Sequence, residues 1–259
     1  MNSDRHVTEV EAEARAYIEE KYEIDLALLD ELIGEISLGC SVVSGNDHDR
    51  GVGFLHLVSF NRAINALRRA REDIATGYSA QALTMTRSAY EDYGVICYTD
   101  RHPEIVDTWL QHLLPGIEET NTPPPKRSEI WNDLKPTMGD EIGALYGMLC
   151  GFSHPDVIGF AWLISYKEGT WQFTVGPQTD ELQVLSALHH TILVASVLAW
   201  RVADLQERLL GERDNDWWRR IAPLLMGTAP KVADKNRARL VELLGYDPAV
   251  VAASSAADE

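Results

Sequence analysis

The chain has 259 residues, enough for one large domain with additions or for two modest domains. With 45% hydrophobic and 24% charged residues it has the composition of an ordinary globular protein. Its 40 acidic against 23 basic side chains give a net charge of -17, which opposes nonspecific binding to nucleic acid or an anionic membrane.

The charge is unevenly spread. Residues 1–36 hold 11 acidic and 3 basic side chains, whereas residues 217–240 hold 6 basic ones and only Asp234. Such polarity either joins subunits head to tail or gives solvated helix faces. Cys40, Cys97 and Cys150 lie far apart with no CxxC, so neither a zinc knuckle nor a disulfide framework is indicated. The polar, acidic N-terminus is no ordinary signal peptide, and the longest apolar run, Thr191 to Trp200, is too short to span a bilayer. A cytoplasmic protein with no membrane contact is expected.

In chain order the pattern is overwhelmingly helical. Thr8 and Glu11 form a capping-box spacing before a short helix to about Tyr22. A second helix carries Leu26, Leu29, Leu32, Ile33 and Ile36 on one stripe, and the polar stretch 44–51 ends it. A long amphipathic helix over 53–74 stops at Gly77. Ser79 is then the expected N-cap of a helix running to about Tyr98, and so short a connection implies antiparallel packing.

Residues 114–140, rich in proline and polar side chains, read as a connecting region with one short turn near Trp131. A further core helix is expected from near Thr137 to His154, where Pro155 ends it. Two strand-like runs follow within 159–176 and predict a β-hairpin around the turn at Lys167 to Gly169. The most hydrophobic segment, from Thr179 or Asp180 to about Leu210, is the expected central helix, followed by small helices at 214–226 and 231–244 and a disordered tail.

This reading gives a mainly α fold: a helical bundle of about four core helices with one inserted β-hairpin and helical N- and C-terminal additions. The expected divisions are an N-terminal helical arm over 1–45, a bundle core over 50–210, a C-terminal appendage over 212–246 and a tail over 247–259.

One candidate site emerges. Arg87 and Glu91 sit one helical turn apart beside an otherwise apolar stripe, with Tyr90 between them. An exposed pair in this order contributes only a few tenths of a kcal/mol, so stability alone explains it weakly. His154 is its natural partner: at a helix C-terminus its cationic form is favoured, and a carboxylate favours it further. Tyr146 and Cys150 lie two turns and one turn upstream, and His189 on the central helix is expected to approach from the opposite side. Arg87, Tyr90, Glu91, Tyr146, His154 and His189 are therefore the candidate ligand-binding residues, with His154, Glu91 and Arg87 the catalytic candidates. They form either a polar clasp between helices or the lining of an anion pocket.

Metals and cofactors are not expected. No Glu-x-x-His pair of the di-iron type occurs, and His189 and His190 point about 100° apart on one helix. Asp47-His48-Asp49 reads as a solvated loop, and P-loop, GxGxxG, GxSxG and HExxH are all missing. Trp217-Trp218-Arg219-Arg220, with Lys231, Lys235 and Arg237, is the only aromatic–basic cluster suited to nucleic acid, and core packing of the tryptophans competes with that use.

The R-S-x-x-E helix at Arg87, Ser88 and Glu91, then Tyr146, Leu149, His154 and Pro155, then the strand pair and long closing helix, resemble a loose group of uncharacterised bacterial helical proteins. The resemblance covers roughly residues 50–210. That group is distantly similar to the HEPN superfamily of helical bundles, many of which are RNases of toxin–antitoxin and phage-defence systems. The HEPN arginine–histidine motif lies within one helix, and no arginine precedes His154 at its spacing; Arg50 and His56 fit the spacing on another segment. Three functions stay open: a non-catalytic binding or assembly module acting as a homodimer or with a protein partner, a HEPN-like RNase or nucleic-acid-binding effector, and a binder of small anions at Arg87 and His154.

Overall fold

The protein is described here by a computed structural model covering residues 6–44, 51–113, 125–153, 164–167, 170–173 and 176–245. The helices are α1 (Val7–Lys21), α2 (Glu23–Ser44), α3 (Val52–Ala75), α4 (Ser79–Arg101), α5 (Val106–Leu113), α6 (Arg127–Ser153), α7 (Glu181–Leu210), α8 (Asn215–Pro223) and α9 (Ala229–Leu244). The mainly α reading is therefore correct. Strands β1 (Ile164–Lys167) and β2 (Thr170–Phe173) pair antiparallel, with Ile164 opposite Phe173.

Several boundaries follow from local chemistry. Asp180 caps α7 by accepting from the Leu182 and Gln183 amides, and Asp214 caps α8 by accepting from Trp217 N–H at 2.7 Å. Gly77 has φ +83, and a Cβ there would meet the Gln178 backbone at 2.9 Å. This glycine both turns the chain and seats the segment leading into α7, whose Gln178 N–H donates to its carbonyl.

Other boundaries differ from expectation. Thr8 lies inside α1, whose N-cap is His6 with no side-chain hydrogen bond. Ser79 is the first residue of α4, and Tyr78 is its N-cap. Much of the expected connecting region is helix: α6 begins at Arg127, and Glu129 accepts the Lys126 amide at 3.0 Å to support that start. Pro136 is tolerated inside α6 because it shares an exposed side with Asn132 and Lys135, leaving the lost hydrogen-bond acceptor to water. A 3₁₀ turn (Pro103–Ile105) and α5, both unforeseen, bury Val106 and Leu110 against Leu55. The expected loop at 45–50, the tail from 247 and much of 154–175, including His154, lie outside the described residues.

Among the described residues the core is one large cluster with a small satellite at Leu55, Val106 and Leu110. α7 packs against α2, α3, α4 and α9, and α4 packs against α3, α6 and α7. Long and apolar enough by itself to cross a membrane, α7 has 72% of its apolar window buried inside the protein, as befits its central place. α2 contributes Leu26, Leu29, Leu32, Ile33 and Ile36 to the same core as the bundle helices.

The charge asymmetry has a local outcome. Arg220 pairs with Glu35 at 2.9 Å, Lys235 approaches Asp25 at 3.8 Å, and buried Asn236 donates to Asp25 at 2.6 Å. Acidic α2 and the basic C-terminal helices thus meet within one chain. Trp217 is fully buried and donates its indole N–H to the Glu35 carbonyl. Packing, the competing use of that tryptophan, is the one observed.

Candidate functional site

The face shared by α4 and α6 holds the candidate cluster. Arg87 Nε donates to Glu91 Oε1 at 3.0 Å, as the one-turn spacing predicts. The second Glu91 oxygen pairs with Arg127 Nη2 at 3.0 Å, so one carboxylate is shared by two guanidiniums from two helices. The Arg87 and Glu91 side chains are 14% and 11% exposed, whereas Arg127 is 66% exposed. The pair is thus half-sheltered on one side and open on the other.

Aromatic rings form the floor. Tyr146 stacks on Trp131 at 4.1 Å between centroids, Trp131 leans on Tyr90 at 5.0 Å, and the Arg87 guanidinium lies 5.9 Å from the Tyr146 centroid. Gly94 makes this approach possible, because a Cβ there would meet Trp131 at 2.9 Å. Burial, with Cys150 beside it, pushes the Tyr146 hydroxyl up to about 12, so it stays a neutral donor. Tyr90 is wholly buried, and burial likewise raises it.

Beside this cluster, Asp92 faces α3. Its side chain is 3% exposed, with Oδ1 3.6 Å from Arg62 Nε. Burial pushes its carboxyl up to about 7, against the pull of Arg62 and with the repulsion of Glu91.

The structure brings together Arg87, Tyr90, Glu91 and Tyr146 of the predicted residues. His189 points elsewhere: it lies against α9, hydrogen-bonded to the Ala233 backbone and beside Arg237. Burial, aided by His190 and Arg237, lowers it to about 3. Residue 189 faces the C-terminal helices, and its position relative to His154 lies outside the described residues. His154 lies outside the described residues. Arg127 and Trp131 escaped the sequence reading because their segment looked like a proline-rich linker. The Lys126–Glu129 capping contact was the signal that placed them on a helix.

A second polar cluster joins α3, α4 and α7. Arg208 Nη2 donates to His56 Nδ1 at 2.8 Å, which leaves the proton on Nε2 to donate to Thr99 Oγ1, also at 2.8 Å. Thr99 in turn donates to the Val95 carbonyl, and Asp100 pairs with Arg208. His56 is fully buried, and burial lowers it to about 4. Neutral and enclosed, this imidazole ties helices together and is poorly placed for acid–base chemistry near neutral pH.

Among the described residues no group of His, Cys, Asp and Glu is arranged to hold a metal ion. This chain matches no protein-family model, no curated protein and no solved structure.

Proposed function

We propose that this protein is a non-catalytic helical binding module of the cytoplasm that takes a small anion at the α4–α6 face. The sharing of Glu91 by Arg87 and Arg127 carries the reading. Among the described residues, two guanidiniums against one carboxylate leave a local positive charge on a chain of net charge -17. Guanidiniums held by a carboxylate are pre-aimed, and a forked donor matches carboxylate, sulfate or phosphate oxygens. Tyr146 adds a neutral hydroxyl donor at the same place. In this reading about four core helices, α7 among them, form the bundle, and the β1–β2 pair is a hairpin inserted before α7.

Calorimetric titration with sulfate tests the proposal. The parent chain binds sulfate, and Arg127→Ala, at an exposed position, binds about tenfold more weakly, the worth of one charge-assisted contact. Equal binding by both, or none by the parent, overturns it.

The HEPN-like reading draws on the same groups, since guanidiniums suit an RNA phosphate equally well. Degradation of bulk RNA that His154→Ala abolishes would replace binding by catalysis. Self-association or a protein partner is the remaining part of the proposal, supported by exposed Trp200 and Met226 on α7 and after α8. Gel filtration against the 28.9 kDa chain mass reads it directly.

A further inference from the structure

Asp92 is a buried acid beside the anion site that the anion reading leaves unused. The residue is 2% exposed, its Oδ2 is buried without a hydrogen-bond partner among the described residues, and Oδ1 meets Arg62 only at 3.6 Å, too long for a hydrogen bond. A carboxylate in this setting has given up water without full compensation, and proton uptake relieves that cost.

Its charged surroundings come from three helices. Among the described residues, Arg62 on α3 and Arg127 on α6 favour the ionised form, while Glu91, the adjacent residue on α4, opposes it. Arg127 and Glu91 are also the groups that frame the anion site. The same two side chains therefore sense both an anion outside and a proton inside. Counting, among the described residues, Arg62, Arg87 and Arg127 against Glu91 and Asp92 gives one positive charge with Asp92 ionised and two with Asp92 protonated.

We propose that anion binding at Arg87 and Arg127 is coupled to proton uptake on Asp92, so that this site holds its anion in mildly acidic solution and releases it as the pH rises. The coupling rests on the anion-binding reading above. It runs in both directions: an anion raises the proton affinity of Asp92, and the proton removes the nearest competing negative charge. Burial places the Asp92 transition at about 7, within the physiological range. Arg62, 64% exposed on the outer side of α3, sets where in that range it falls.

The test uses the full chain and sulfate, whose own charge is constant from pH 5.5 to 8.5. The parent is expected to bind sulfate about tenfold more weakly at pH 8.5 than at pH 5.5, equivalent to about one unit of linked pKa shift. Asp92→Asn, which mimics the protonated acid, should hold the tight affinity throughout. In the parent, the Asp92 side-chain carbon resonance should titrate near neutrality and move to higher pH when sulfate saturates the site. Arg62→Gln is a second, surface variant, expected to shift the midpoint of the parent's affinity profile upward. Sulfate binding with the same pH profile in parent, Asp92→Asn and Arg62→Gln overturns the coupling and leaves the anion site standing. No sulfate binding at any pH overturns both.

Discussion

Trp217 donates its indole N–H to the backbone carbonyl of Glu35 at 2.8 Å, while the ring fills the space left open by Gly39. This contact, with Arg220–Glu35 and Asn236–Asp25, fastens the C-terminal helices to α2. A Cβ on Gly39 would lie 2.5 Å from Val202 and 2.7 Å from Trp217, so glycine there is a packing requirement in a helix interior.

Trp217→Ala should therefore cost about 3–5 kcal/mol, the usual loss for emptying a fully buried aromatic site. Gly39→Ala should cost about 1–3 kcal/mol by overpacking. In urea unfolding, Gly39→Ala introduced into Trp217→Leu should cost less than in the parent. Additive losses would show that the two residues do not share this space.

Glu91→Gln removes the carboxylate that Arg87 and Arg127 share. Stability should fall by about 1–2 kcal/mol, because both charge-assisted hydrogen bonds weaken without a cavity being made. Sulfate binding should strengthen in the same variant, since the local charge rises by one. A variant that loses both stability and anion affinity would mark Glu91 as a simple clasp.

His56 makes stability depend on acid. The unfolded imidazole takes a proton near its ordinary 6.5, but burial holds the folded one down to about 4. Between these values the unfolded state binds more protons, so folding stability falls as pH drops from about 6.5 to 4. The loss reaches about 3 kcal/mol at the lower end. His56→Gln should show a shallower decline in chemical denaturation across that window.

Asp92 works with the opposite slope. Its folded carboxyl titrates at about 7 and its unfolded one near 3.8, so the folded state binds more protons between them and stability falls as pH rises through this range. Asp92→Asn should be more stable than the parent at pH 8, by up to about 4 kcal/mol, and should match it near pH 4. An equal difference at both pH values would mean that the carboxyl ionises as if in water.

What was legible beforehand was local. The helix stop at Gly77 is a left-handed residue that an L side chain would strain, and the Asp180 cap acts within three residues of itself. Arg87 and Glu91 were placed together by helical spacing alone. The start of α6 was missed because three consecutive prolines and Pro136 outweighed a capping signal of a single contact. The segment 1–45 reads as a helical arm packed on the bundle, but its apolar stripe does not say which bundle helix it covers. α2 in fact lies on α7.

By itself the amino-acid sequence determined that this chain is helical, where several of its helices end, and that an arginine and a glutamate share one turn of α4. Only the tertiary structure decided that Arg127 completes their cluster, that His189 turns toward α9, and that the acidic α2 meets the basic C-terminal helices inside one chain. The reason is range. Capping and i,i+4 contacts are settled within a few residues, whereas the partner a charged group finds across helices depends on the rotation and crossing of every helix in the core.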